Sequence, residues 1–531
     1  MFPSNLPRRC KRVFAVCLTA AFATTLFSVC ASWAADSPSP SLAELLASYQ
    51  RAMNDPGAPR YERFEEIGTL SGQGLTGSFH TWIAGERERD DENLGARSER
   101  RLRIGERVWY ANADGDVREL TGILLRRSRT QRLIDSGDFA RQPEHCVALG
   151  RRSLDGKAAY AIDVAATGGE TETLYLDAAT YRPLRVAYDD DDGEATIDLS
   201  DWRSVGGHHF PFKVVQSDGD REFDTTENAQ KILLDQPSEA AVFAPLKART
   251  IEMPGAQTLA LQAHDGHLYA PVRIRGKSYS FLVDTGAQNI LLDTRVVREL
   301  GLSSEGALEA SGASRVGGLQ VATLDELDIG SGKLRDLVVT TLDLSAATSG
   351  AFHIDGILGY PFFGAATVRL DPAAQSMTFG PPGSILPRGE RIPIDTDRAA
   401  PEASFRIGES LAAPFIVDTG NAGELLLYHP FVDKHPGVVP VTDHGRRNYG
   451  IGGSTASYKT SLDRIDIGST SLYHIDTDVM LATRGAFADR FDAGNVGLGL
   501  LKNFVITFDE SDGAMYLEKS TAFDDGRSRP Q

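Results

Sequence analysis

The sequence is short of cysteine. Four occur in 531 residues, and Cys10, Cys17 and Cys30 all fall at the start of the chain. A chain trimmed there keeps only Cys146, and a lone cysteine cannot close an internal disulfide. Stability must then come from apolar cores, and Cys146 reads as a small buried hydrophobe rather than a catalytic thiol. Positive charge is also in deficit. Fifty-five Lys and Arg against 73 Asp and Glu give a formal net charge of -18. That excludes an electrostatic grip on nucleic acid or anionic lipid, which needs basic patches. Metal-ligand spacing is missing as well. Asp189-Asp190-Asp191-Asp192-Gly193 lacks the alternating ligands and distal Glu of a calcium loop, and reads as a turn between strands. His208 and His209 are neighbours in a strand pattern, point to opposite faces and have no third ligand nearby. No metal and no cofactor are expected.

A long apolar run occurs only once, from Val13 to Val29, and it is short for a membrane span. Arg8, Arg9, Lys11 and Arg12 precede it, and Ser32-Trp33-Ala34-Ala35 offers small residues for cleavage. This layout is that of a secretory signal over residues 1–35. The expected location is therefore the periplasm or the exterior, with an uncleaved anchor or a lipid at Cys30 as alternatives. No membrane span is expected after cleavage. Loss of four basic residues takes the net charge from -18 to -22.

The rest is a globular composition, 41% hydrophobic and 24% charged, with length for about three domains. Residues 41–53 predict a helix, because Leu42, Leu45, Leu46 and Tyr49 repeat at helical spacing behind a Ser39 or Ser41 cap. From there to about residue 235 the pattern is strands and tight turns. Examples are Arg107-Val108-Trp109-Tyr110, Thr173-Leu174-Tyr175-Leu176, and Phe210-Pro211-Phe212 after Gly206-Gly207. One helix with many antiparallel strands predicts a curved sheet or half-barrel over residues 36–246. The leading helix, Tyr175-Leu176-Asp177, Pro183-Leu184-Arg185, Asp201-Trp202 and Phe210-Pro211-Phe212 together resemble the periplasmic lipoprotein-carrier (LolA-like) half-barrels. The resemblance implies a concave face that takes an acyl chain; a domain that presents substrate or shields a site is equally open. Residues 236–256, with Pro237, Pro245 and Pro254, read as a linker.

Beyond the linker the sequence repeats itself. Phe281-Leu282-Val283-Asp284-Thr285-Gly286-Ala287 returns as Phe415-Ile416-Val417-Asp418-Thr419-Gly420-Asn421, 134 positions later. Three further landmarks recur 138 positions apart. They are Leu324 to Gly330 with Leu462 to Gly468, Gly356 to Gly359 with Gly494 to Gly497, and Val368 to Asp371 with Ile506 to Asp509. A constant offset over separate motifs predicts two copies of one β domain, at 247–382 and 383–523, with a tail at 524–531.

Two carboxylates on matched, rigid turns suit peptide hydrolysis. Held close, they cannot both ionise easily, so they share one proton. The ionised member takes a proton from water and the protonated one polarises the carbonyl. Gly286 and Gly420 let backbone N–H groups approach the carboxylates, and Thr285 and Thr419 can tie the turns together. Two Asp-Thr-Gly turns with these flanks resemble the retropepsin-type aspartic peptidases in a bacterial single-chain form, over about residues 262–520. The resemblance implies catalytic Asp284 and Asp418, an internal pseudo-dimer, and substrate-binding flaps tipped by Val316-Gly317-Gly318 and Ile451-Gly452-Gly453. It also implies apolar-apolar-Gly loops at Ile357-Leu358-Gly359 and Asn495-Val496-Gly497. Asn421 stands where the family has Ala or Ser, Asn495 breaks the second apolar pair, and the flap tyrosine of the pepsin-type enzymes has no match in the first half. An Asn421 hydrogen bond to Asp418 would favour its ionised form, making Asp418 the base and Asp284 the acid.

The expected fold is mainly β: an N-terminal antiparallel half-barrel with a helix, then two acid-protease lobes. The expected function is an aspartic endopeptidase, a monomer whose partner is a peptide or protein substrate. The alternatives are a peptide-binding module that does not cut, or a lipid or lipoprotein carrier acting through the N-terminal domain.

Overall fold

The computed structural model describes residues 39–191, 193–311, 315–345, 353–442, 445–450 and 453–524. The expected signal segment, Asp192, Ile451, Gly452 and most of the C-terminal tail lie outside the described residues. Among the described residues no helix is long and apolar enough to cross a membrane.

The chain is mainly β. Its first helix runs Leu42–Met53, with Ser41 as cap: the Ser41 hydroxyl accepts the Glu44 N–H while the Glu44 carboxylate accepts the Ser41 N–H. Leu45, Leu46 and Tyr49 are its buried face, as their spacing predicts. They pack with Ile162, Leu174, Leu176 and Val186 of the sheet behind them. That sheet has 13 strands, all before residue 235. Its strands follow mostly as hairpins, such as Glu194–Val205 with His208–Ser217 across Gly206-Gly207, both glycines at positive φ. Cys146 is buried in this domain as a free thiol. His208 is hydrogen-bonded to Asn54 and the Pro59 carbonyl, and His209 to Asp55 and Arg182, so neither is available to a metal.

One element departs from expectation. Gly122–Asp135 is a second helix, where the sequence pattern suggested only strands. Its four arginines blur the apolar spacing, and only Ile123 and Ile134 of its large apolar side chains are buried. Its N-terminus is held from far along the chain. Asp397 accepts the N–H groups of Thr121 (2.6 Å) and Leu124 (3.1 Å), and Asp395 accepts that of Gly122 (3.0 Å). Carboxylates there satisfy orphan donors and face the positive end of the helix dipole.

The remaining strands form three sheets. An eight-stranded sheet lies within 262–358 and a seven-stranded sheet within 402–497. Their strand orders correspond. In each, the strand before Asp-Thr-Gly pairs in parallel with the later glycine loop: Phe281 opposite Gly356, and Phe415 opposite Gly494. The third sheet draws on both regions. Its centre is the antiparallel pair Thr367–Asp371 and Phe504–Asp509, with Arg369 opposite Thr507, its counterpart 138 positions on. A single large core joins these sheets, including Phe281, Val283, Phe415 and Val417 with no exposed surface.

The N-terminal domain is fastened to this body at several points. Ala96 N–H donates to Glu305 (2.7 Å), Ala307 N–H to the Gln73 carbonyl (2.7 Å), and Val338 N–H to Asp114 (3.0 Å). On the other side Arg490 pairs with Asp189 (3.1 Å) and Arg398 with Asp191 (3.4 Å). The acidic turn is therefore a docking point rather than a solvated turn. Removing the long-range cap tests how the domain is held. Asp397→Ala should cost about 1–2 kcal/mol of stability and speed hydrogen exchange at the Thr121 and Leu124 amides. Unchanged exchange there would contradict the capping role.

Candidate active site

The site is built on two strands that enter a core and stop at a carboxylate. Strand Lys277–Val283 runs into Asp284, and strand Leu411–Asp418 ends on Asp418. Because Phe281, Val283, Phe415 and Val417 are fully buried, each turn has a fixed starting point. The turns then fold back on their own aspartates. Asp284 Oδ1 accepts the N–H groups of Gly286 (2.9 Å) and Ala287 (3.1 Å), and Asp418 Oδ1 those of Gly420 (2.8 Å) and Asn421 (3.1 Å).

The structure brings the two turns together. Thr285 Oγ1 donates to the Val417 carbonyl (2.6 Å) and accepts the Thr419 N–H (3.0 Å). Reciprocally, Thr419 Oγ1 donates to the Val283 carbonyl (2.9 Å) and accepts the Thr285 N–H (3.0 Å). Both threonines are almost wholly buried. The glycines have a second role beyond exposing their N–H groups. A Cβ on Gly286 would lie 2.8 Å from the Asp418 carboxyl carbon, and one on Gly420 2.3 Å from that of Asp284. Each glycine makes room for the opposite carboxylate.

The paired carboxyls are not equivalent. Burial first, then the charge of Asp418, hold Asp284 well above the usual carboxylate range. Asp418 is also raised by burial, but the Gly420 N–H and a hydrogen bond from Asp284 pull it back down. Both carboxyls are thus raised by burial, Asp284 the further of the two. A further donor reaches Asp418 alone: Asn495 Nδ2 lies 2.8 Å from Asp418 Oδ2. Asn421 Nδ2 in turn donates to Asn495 Oδ1 (2.7 Å), and Asn421 Oδ1 accepts the Gly423 N–H (2.8 Å). The sequence reading gave the side-chain bond to Asn421. Instead Asn495 makes it and Asn421 orients Asn495. At the counterpart of Asn495 the first half has Ile357, which packs with Leu282 and Leu291 and offers no donor. The signal in the sequence was a polar residue in a strand otherwise suited to burial; in the parallel register Asn495 lies opposite Ile416, two residues before Asp418.

The hairpins expected as flaps correct one expectation. In the first, Ser311 pairs with Arg315, and residues 312–314 lie outside the described residues. Gly317 and Gly318 fall inside the strand Arg315–Ile329, not at the tip. Their glycine character has another cause. Gly318 has φ +79°, and a Cβ on Gly317 would lie 2.8 Å from the Phe223 ring of the N-terminal domain. In the second hairpin Gly450 pairs with Gly453, which starts the returning strand, while Ile451 and Gly452 lie outside the described residues. Residues of both hairpins, among them Leu319, Val321 and Asn448, line the same cavity as Asp284 and Asp418. Among the described residues no three His, Cys, Asp or Glu gather closely enough to hold a metal ion.

A family model described as "Aspartyl protease" matches residues 270–362, which include Asp284 but not Asp418. No curated protein matches the chain. Among solved structures, an aspartic proteinase from Irpex lacteus is 15% identical, covering 51% of this chain and all of its own, with a TM-score of 0.32. A LolA superfamily protein from Nitrosomonas europaea is 13% identical, covering 39% of this chain and 98% of its own, at 0.27. A putative outer membrane lipoprotein-sorting protein domain from Vibrio parahaemolyticus is 12% identical, covering 38% and 95%, also at 0.27.

Two substitutions test this geometry. Thr285→Val removes the acceptor of the Thr419 N–H and the donor to Val417, both buried. It should cost about 2 kcal/mol in denaturant unfolding. Asn495→Leu removes a donor that favours ionised Asp418. If the dyad works as a hydrolytic pair, the acidic limb of its pH–rate profile should move to higher pH, because Asp418 then holds its proton longer. An unmoved limb would mean that Asn495 does not tune the pair.

Proposed function

We propose that the chain is an aspartic endopeptidase whose two Asp-Thr-Gly halves form one active site as an internal pseudo-dimer. The observation that carries the reading is the reciprocal threonine lock, which ties the Asp284 turn to the Asp418 turn. The self-matched pairing of Arg369 with Thr507 and the corresponding strand orders support the pseudo-two-fold. The match to an aspartyl protease family over residues 270–362 supports the hydrolytic class.

The chemistry follows from the unequal carboxyls. With a peptide carbonyl over the pair, ionised Asp418 takes a proton from a water held between the carboxyls. The water oxygen bonds to the carbonyl carbon while protonated Asp284 donates to the carbonyl oxygen. The tetrahedral diol collapses, one proton passes to the leaving nitrogen, and the C–N bond breaks to give an acid and an amine. The leader layout of residues 1–35 supports export, so the substrates are peptides or proteins outside the cytoplasm. The inner face of the N-terminal sheet carries Glu66, Asp90, Glu92 and Glu99 beside apolar Phe79, Leu174 and Val186, so the acyl-carrier alternative stands as the second reading.

Digestion of a peptide mixture across acid to neutral pH tests the proposal, with Asp284→Asn and Asp418→Asn beside the parent. Each single variant should lose at least about a thousandfold of cleavage, because neither carboxyl works alone. A statine-type inhibitor should block the parent. Full activity in either variant would overturn the shared site.

A further inference from the structure

One cavity of about 2160 Å³ is lined both by the dyad and by the inner face of the N-terminal sheet. It is larger than a drug-sized ligand needs. The inner face is set by the register of neighbouring strands. Glu66 lies opposite Thr81, and Thr81 opposite Asp90. In the next row Glu92 lies opposite Glu99, and Glu227 faces Leu70 from the adjoining strand. A strand reverses face at every residue, so these alternate positions turn their side chains inward together.

Arginines share this lining, with Arg97 pairing with Glu99 (2.9 Å) and Arg127 with Asp190 (3.1 Å), but not every carboxylate of the face has one. Arg101 is taken up by Glu88 (2.9 Å) and Asp90 (2.8 Å), and Arg103 by Glu88 (3.3 Å). Glu66, Glu92 and Glu227 make no salt bridge among the described residues. Burial, with the charges of neighbouring acids, pushes Glu66 and Glu227 up to about 7 and Glu92 up to about 8. An independent observation lies on a distant strand of the same sheet, Thr171–Asp177, where Arg127 is the nearby cation. Glu172 is 1% exposed, and neither of its carboxylate oxygens has a hydrogen-bond partner, although it lines the cavity. A buried carboxyl without a partner is costly, and a cation in the cavity would offset that cost. A metal ion does not suit the wall, because among the described residues no three ligands converge. Cations spaced along a flexible chain do suit it.

We infer that the inner face of the N-terminal sheet is a binding site for lysine- or arginine-rich peptide segments, which it holds beside the dyad. The domain thus supplies substrate selection to a cleft whose own lobes supply the chemistry. The inference rests on the peptidase reading for the fate of the bound segment, while the binding site itself does not depend on cleavage. The ammonium and guanidinium groups would pair with Glu92, Glu227 and Glu66, displacing their protons to solvent where they are protonated.

The test uses the full chain carrying Asp284→Asn and three fluorescent peptides of equal length, alternating alanine with lysine, glutamine or glutamate. The lysine peptide should bind and weaken as salt rises, and the other two should bind at least about tenfold more weakly. Adding Glu92→Gln with Glu227→Gln should weaken the lysine peptide by about tenfold, while Glu239→Gln on the outer surface leaves it unchanged. Equal binding of the three peptides would overturn the inference, and that comparison needs no variant of the chamber. The parent chain then separates the two readings. A lysine peptide that binds but is not cut leaves the binding site standing and removes the peptidase. Equal cutting of all three with charge-indifferent binding does the reverse.

Discussion

Two threonine hydroxyls, each donating to the far strand and accepting from the far turn, are the constraint on which the site depends. The shared third sheet and core bring the halves together, and the threonines fix the Asp284 and Asp418 turns against each other. The lock is buried, so its hydrogen bonds do not compete with water, and each broken partner would be left unsatisfied. The glycines follow from the same closeness. A side chain at Gly286 or Gly420 would occupy the space of the opposite carboxyl. Gly-for-Ala exchange is therefore barred here by the partner half, not by backbone conformation.

Closeness alone would give a symmetric pair. The Asn421–Asn495–Asp418 relay breaks the symmetry, because its counterpart in the first half is an apolar contact around Ile357. One carboxyl gains a donor and the other does not, while burial raises both. The two halves of the repeat thus differ at the pair through two neutral side chains. The N-terminal domain adds a second asymmetry. It contacts the first hairpin at Gly317 through Phe223 and accepts fastening from the second lobe through Asp395 and Asp397. The dyad consequently faces a wall of carboxylates that the lobes themselves do not contain.

Much of this was legible in the sequence for a physical reason. Apolar strands that end on Asp-Thr-Gly recur at a fixed spacing, so Asp284, Asp418, Thr285 and Thr419 are legible without their contacts. The leading helix was legible because Leu45, Leu46 and Tyr49 form one stripe. Helix Gly122–Asp135 was not, since its cap comes from Asp397, more than two hundred positions away, and its arginines mask the stripe. The first hairpin was misread for a related reason. Glycine signals a turn when taken alone, whereas Gly317 serves the approach of a ring from another domain. Asn495 was seen only as a blemish in an apolar loop, because its partner lies across a parallel strand pair that no local pattern reveals. The acidic wall escaped notice because Glu66, Asp90, Glu92 and Glu227 come from separate strands.

The central claim is that the two halves hold one proton between them, on Asp284 rather than Asp418. Neutron diffraction on crystals near neutral pH observes that proton directly. The account predicts a single hydrogen bonded to an Asp284 oxygen and directed at an ionised Asp418, with the Asn495 amide hydrogens turned toward Asp418. Two ionised carboxylates apart from each other, or the proton on Asp418, would contradict it.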